Sequence, residues 1–213
     1  MMRRRLSFGD KATDASPIAS LSLDKNRLFA DRCYSFEHPA TLQRWTLTLR
    51  EHHPLGIVWP SALALTQYLL HSPSPLTGRR ILEIGAGTGI TSLVCGALGA
   101  HTVATDMNAG LSLLQGNIQR NSHQAGGQVH GQVLEWRDIQ AIHAIAAAHG
   151  PFDYVVGSDI LYNDASHGAI LDLLLQLTDP AQQTEVILSY PRRSGSEDGF
   201  FRALEQVFRS PPN

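Results

Sequence analysis

Lysine is nearly absent from this sequence. Of 17 basic residues only Lys11 and Lys25 are lysines, and arginine carries the positive charge of everything that follows them. Alanine and glycine are plentiful, so the bias reads first as nucleotide composition of the coding sequence. Avoidance of self-modification at lysine is the chemical alternative. An excess of one sign of charge is also missing, with 17 basic against 19 acidic residues and no basic stripe beyond Arg3-Arg4-Arg5. That balance excludes a strongly basic nucleic-acid binder. No apolar run approaches the ~20 residues that would cross a bilayer, and the Arg-rich N-terminus lacks the apolar core of a secretory signal. The two cysteines, Cys33 and Cys95, have no paired spacing, which fits a reducing cytosol and excludes a disulfide framework. The expected location is the cytoplasm, with the nucleus also open.

Metal-ligand spacing is missing as well. There are 10 histidines, but the adjacent His52 and His53 face different ways, and neither HExxH nor CxxC occurs, so no metal site is expected. A Gly-Lys-Ser/Thr phosphate loop and a G-x-S-x-G nucleophile elbow are absent too. What is present is 213 residues at 43% apolar content, enough chain to bury roughly 70% of its unfolded surface without a staple.

Residues 1–25 mix Arg, Ser, Asp and Pro without periodicity and are expected to form a flexible arm. Residues 26–213 then read as a single domain, with a ligand-binding core over about 56–208. Alternation at Trp45, Leu47 and Leu49 predicts one or two strands between Arg27 and Leu49. Pro60 suits the first turn of a helix whose Ala62, Leu65 and Leu69 share a face. Beyond Ser72-Pro73-Ser74-Pro75 the text becomes regular. Strands are predicted at 80–84, 101–105, 129–136, 152–157 and 185–190. Helices intervene over 90–98, around Leu111, Leu114 and Ile118, over 139–148, and around Ile170, Leu174 and Leu177. A last one is marked by Phe200, Leu204 and Phe208. Five strands alternating with helices imply a doubly wound, Rossmann-like parallel α/β sheet. Its ligand site lies outside the carboxyl ends of the strands.

Those ends carry the chemistry. After the first comes Glu83-Ile84-Gly85-Ala86-Gly87-Thr88-Gly89, a turn that lets a ligand approach the backbone and opens a helix N-terminus. A turn made for packing alone is the plain alternative. A dinucleotide fingerprint wants glycine at 90, where Ile90 stands, and Glu83 does not suit a pyrophosphate; an amine-bearing cofactor suits it better. Asp106, about 20 residues beyond Gly85, is placed to accept two ribose hydroxyls or to cap the next helix. Trp136 could wall an adenine or pack in the core. The fourth strand ends in Gly157-Ser158-Asp159-Ile160-Leu161-Tyr162, which sets a carboxylate and a phenol three residues apart. The fifth ends in Ser189-Tyr190-Pro191-Arg192-Arg193. Cys95 reads as core.

Leu82 to Gly89 resembles motif I of the seven-strand S-adenosylmethionine-dependent methyltransferases. Together with Val58-Trp59-Pro60-Ser61, Thr105-Asp106, Leu134-Glu135-Trp136 and Asp159-Ile160-Leu161-Tyr162, it resembles the branch that methylates protein lysines on calmodulin, elongation factors and chaperones. The resemblance runs from about Gly56 to Leu204. It implies S-adenosyl-L-methionine as cofactor, with Trp59 against it, Gly85, Ala86 and Gly87 holding its methionine end, and Glu83, Thr88 and Gly89 also among the cofactor-binding residues. Asp106 would hold its ribose, Trp136 its adenine, and Ser158 would touch it from the fourth strand. Asp159 and Tyr162 would line the channel of an acceptor lysine, presented by a protein partner rather than by nucleic acid or membrane. In this resemblance the N-terminal strands are a β extension. The antiparallel hairpin that normally closes the family's sheet has no counterpart before Asn213. A non-catalytic cofactor-binding interaction protein and a small-molecule methyltransferase are the alternatives.

Overall fold

The structure, a computed structural model, describes residues 29–53, 56–124, 126–178, 183–192, 195 and 197–209. The arm expected over 1–25, Arg193 and the side chain of Phe208 lie outside the described residues.

Two strands, β1 (Phe29–Glu37) and β2 (Arg44–His52), pair as an antiparallel hairpin. After helix α1 (Pro60–Leu70), strands and helices alternate: β3 (Arg80–Ile84), α2 (Ile90–Ala97), β4 (His101–Asp106), α3 (Asn108–Asn121), β5 (Gln128–Val133) and α4 (Ile139–His149). The series closes with β6 (Tyr154–Ser158), α5 (His167–Leu177), β7 (Glu185–Ser189) and α6 (Glu197–Arg209). The five strands from β3 onward form a parallel sheet in the order β5-β4-β3-β6-β7. The chain winds outward from β3 in both directions, so the topological switch falls between β3 and β6, where such sheets bind ligands.

Side-chain parity sorts the layers. Leu82 and Ile84 on β3, with Val155 on β6 and Val186 on β7, pack on Ile142, Ile170, Leu174 and Leu204 of α4, α5 and α6. Ile81, Val156 and Ile187 point the other way, onto Leu65 and Leu69 of α1 and Cys95 of α2. Both faces are therefore covered, which is why these strands read as continuous apolar runs. The hairpin lies outside α1 and α2, with Phe36, Trp45, Leu47 and Leu49 buried against Ala62, Leu70, Leu93 and Val94.

One predicted strand is too long. β5 stops at Val133 rather than Trp136, because its partner β4 ends at Asp106, opposite Val133. One further bond, from Leu134 N–H to the Asp106 carbonyl, ends the ladder. Trp136 therefore sits in the turn that leads to α4.

Candidate active site

The turn after β3 is built by residues with positive φ, +66° at Gly85 and +55° at Gly87, a region that costs any side chain with a Cβ. At Gly85 there is a second reason. An added Cβ would lie 2.8 Å from Ile160 Cγ2 and 3.5 Å from Trp136 Cζ2. At Gly87 the same atom would meet nothing within 4 Å, so the backbone there forms an open ledge. Ala86 N–H donates to the Thr105 carbonyl and Gly89 N–H to the Ala86 carbonyl, each at 2.8 Å. Thr88 is buried between them, and Gly89 leads into α2.

Asp106 holds the ledge from the neighbouring strand. Its Oδ2 accepts the Gly87 N–H at 2.6 Å and its Oδ1 the Met107 N–H at 2.8 Å. Burial raises the proton affinity of this carboxyl, and the two backbone N–H donors work against that shift. Each oxygen has a further lone pair for a hydroxyl.

Glu83 takes a different place from the one its motif suggests. Parity turns it to the α1–α2 side of the sheet, where it is 1% exposed. There its Oε2 accepts from both the backbone N–H and the hydroxyl of Ser92, in the first turn of α2. The carboxylate caps that helix from beneath, occupying the N–H group and the dipole end that a phosphate would need. Desolvation pushes its pKa up to about 7, opposed by the bonds from Ser92 and Thr91. The expected contact with a cofactor amine has to share this carboxylate with α2, and a pyrophosphate does not fit beside it.

Across the switch point, half-buried Ser158 ends β6, and Asp159 follows with φ of +56°. That left-handed turn is held by the Asp159 N–H donating to the Ser189 carbonyl of β7 at 2.8 Å. It buries Asp159 and Ile160 and seats Ile160 against Gly85. Tyr162 stands 62% exposed beyond it, and Trp59, at the start of α1, is 40% exposed. The structure thus brings Gly85, Gly87, Asp106, Trp136 and the 159–160 turn together. Trp59 and Tyr162 are the exposed aromatics of the set. Among the described residues, no cluster of three or more His, Cys, Asp or Glu could hold a metal ion.

Sequence reading missed the supports. The Arg137 guanidinium donates to the Ala165 carbonyl at 3.1 Å and His167 Nε2 lies 3.1 Å from the Leu161 carbonyl, so the segment carrying Tyr162 is tied at both ends. Asn117 and Asn121 of α3 are almost fully buried. Their spacing of four was the available signal, since two asparagines on the inner face of a helix need partners.

The β5-β4-β3-β6-β7 parallel sheet, with the glycine ledge after β3 and Asp106 after β4, is a class I, Rossmann-like methyltransferase fold. Solved structures agree at the level of fold. An O-methyltransferase from Bacillus cereus in complex with S-adenosylhomocysteine superposes with a TM-score of 0.50 at 18% identity, over 74% of this chain and 73% of that one. Precorrin 8W decarboxylase from Methanobacterium thermoautotrophicum gives 0.52 at 19%, over 71% and 74%. The family is narrower. A lysine methyltransferase model matches residues 44–207, and the chain belongs to that family. Protein N-lysine methyltransferase METTL21A of Danio rerio is 32% identical over 155 residues, 72% of this chain and 68% of the relative. Protein-lysine methyltransferase METTL21E of Bos taurus is 34% identical over 157 residues, 72% of this chain and 53% of the relative. EEF1A lysine methyltransferase 3 of Mus musculus is 29% identical over 151 residues, 71% and 62%. The matched region thus spans between about half and two thirds of these relatives' lengths.

Proposed function

We propose that this chain transfers a methyl group from S-adenosylmethionine to a lysine side chain of a protein. The observation that carries this reading is the Asp159–Tyr162 turn, seated through Ile160 on Gly85, at the mouth of a glycine ledge in a chain of the lysine methyltransferase family. When bound, S-adenosylmethionine supplies an electrophilic methyl on a sulfonium, and the protein supplies placement and electrostatics. The residues fit such a ligand. The Gly87 ledge admits a backbone approach, Asp106 has lone pairs for ribose hydroxyls, and Trp136 offers an aromatic wall beside Gly85. Ser158 lies across the switch from them.

A lysine must arrive with its lone pair free, although its unperturbed pKa is about 10.4. Desolvation on entering the site disfavours the ammonium, whereas a carboxylate favours it. Asp159 therefore acts best by accepting an N–H of the neutral amine and orienting its lone pair, with the proton lost to solvent. The unpaired Cys33 and Cys95 suit a cytoplasmic enzyme, and we place it there. The deciding experiment transfers labelled methyl from S-adenosylmethionine into a hypomethylated lysate, comparing the native chain with Asp159→Asn. A labelled protein band that hydrolyses to methyl-lysine, and is lost in the variant, is expected. Label confined to small molecules, or no label at all, would replace this reading with a metabolite acceptor or a binding role.

A further inference from the structure

The hairpin is fastened to the fold by side-chain amides. Asn121 Oδ1 accepts the Thr48 N–H at 2.9 Å and its Nδ2 donates to the Thr48 carbonyl at 3.0 Å. Asn117 repeats the pattern on Arg50, at 2.8 and 3.0 Å. Four helical residues advance about 6 Å and two strand residues about 6.6 Å, so amides four apart on α3 meet backbone groups two apart on β2. The two asparagines thereby complete the edge of β2 that β1 does not cover.

The second N–H of each amide differs. That of Asn121 stays within its own helix, on the Asn117 carbonyl at 2.8 Å. That of Asn117 reaches the Thr88 carbonyl at 3.0 Å. Thr88 lies between Gly87 and Gly89, whose φ angles are +55° and +81°, and glycines set the direction of a neighbouring peptide only weakly. The peptide between Thr88 and Gly89 is held on both sides, its N–H on the Ala86 carbonyl at 2.8 Å and its carbonyl by the Asn117 donor. Beyond the hairpin, Gly56 pairs with His52 at 2.7 and 2.8 Å and lies against Leu113 of α3, whose Cδ2 would be 2.3 Å from a Cβ built there.

We propose that Asn117 is a positioning residue for the glycine ledge: the amide that holds β2 at Arg50 also holds the Thr88 carbonyl, so that the ledge keeps its methyl-donor geometry only with that donor in place. The proposal rests on the reading of that ledge as the donor site. Asn121 supplies the control, because it holds the same strand in the same way without touching the ledge.

Asn117→Ala and Asn121→Ala are compared in the full chain, well below both melting temperatures. Calorimetry reads S-adenosylhomocysteine affinity, and hydrogen exchange reads the 84–92 segment in the ligand-free protein. Both variants should lower the melting temperature. Only Asn117→Ala should weaken binding, by about tenfold, and speed exchange of the ledge by a similar factor; Asn121→Ala should stay within twofold of the native chain in both. Should Asn117→Ala not fold, Asn117→Asp is compared with Asn121→Asp, each of which keeps the acceptor for the β2 N–H and loses both donors. Those donors go to the Arg50 and Thr88 carbonyls at 117 and to the Thr48 and Asn117 carbonyls at 121, so that only the first variant touches the ledge. Equal weakening in both variants, or native affinity and exchange in the Asn117 variant, overturns the proposal. A native chain that does not bind S-adenosylhomocysteine overturns the donor-site reading instead, and the ligand-free exchange rates then decide the role of Asn117 alone.

Discussion

In the proposed function two carboxylates at the strand ends divide the work, Asp106 at the donor and Asp159 at the acceptor, and substitution separates them. The Asp106 oxygens already hold Gly87 and Met107, so Asp106→Ala removes both the hydroxyl acceptor and the support of the ledge. Hydrogen bonds to charged groups contribute about 1.5–3 kcal/mol each, which predicts S-adenosylhomocysteine binding roughly ten- to hundredfold weaker by calorimetry. Unchanged affinity would take Asp106 out of the ribose site. Asp159 sits in a left-handed turn, a conformation that Asp tolerates better than most residues and that marks sites where strain is kept for a purpose. Asp159→Asn keeps the shape and removes the charge. It should lose most turnover with donor affinity within about twofold of native, and full turnover in the variant would dismiss the orienting role.

At the scale of elements, the junction of β3 and α2 has its own pH signature. Glu83 is buried with a pKa raised to about 7 from an ordinary 4.5. Between those values the folded state holds a proton that the unfolded state has released, so the contribution of Glu83 to stability is greatest below about 4.5 and falls as pH rises toward about 7. The span of two to three units corresponds to about 3 kcal/mol. Glu83→Gln keeps an acceptor for Ser92 without the ionisation. Relative to the native chain, this variant should gain stability from pH 5 to pH 8, read as the difference in urea midpoints; a constant difference would mean that Glu83 is ionised throughout. The same junction shows what was legible in the sequence. Strands β3, β4, β6 and β7 are buried on both faces, so their apolar runs announced them. The outline of the ligand edge followed from strand ends alone. β5 was overrun because Leu134 and Trp136 prolong its apolar text past the end of β4, and a ladder needs a partner that local pattern cannot supply. Parity with a covering helix, which assigns Glu83 to α2, becomes visible only once the layers are stacked. The asparagine brackets were hidden for a related reason. Their partners are backbone groups 67 and 73 residues away, and backbone groups leave no mark in side-chain sequence.

For the whole molecule, the proposed donor site draws on units that do not touch in sequence: the β3–α2 ledge, the end of β4, and the turns after β5 and β6. A ligand seated among them stabilises all of these docking contacts at once, since whatever binds only the folded state shifts the global equilibrium. At a hundredfold excess over its dissociation constant the linkage contributes about 2.7 kcal/mol. In a chain of this length that raises the melting temperature by roughly 5–10 °C, at about 2–4 °C per kcal/mol. S-adenosylhomocysteine should produce this shift in a thermal scan. NADH should produce none, because its pyrophosphate would compete with the Glu83 carboxylate for the first turn of α2 and finds Ile90 where the fingerprint wants glycine. A shift with the dinucleotide and none with S-adenosylhomocysteine would reassign the ledge to a redox cofactor. A shift with S-adenosylhomocysteine that disappears in Asp106→Ala would tie the global stabilisation to the carboxylate that spans β4 and the ledge.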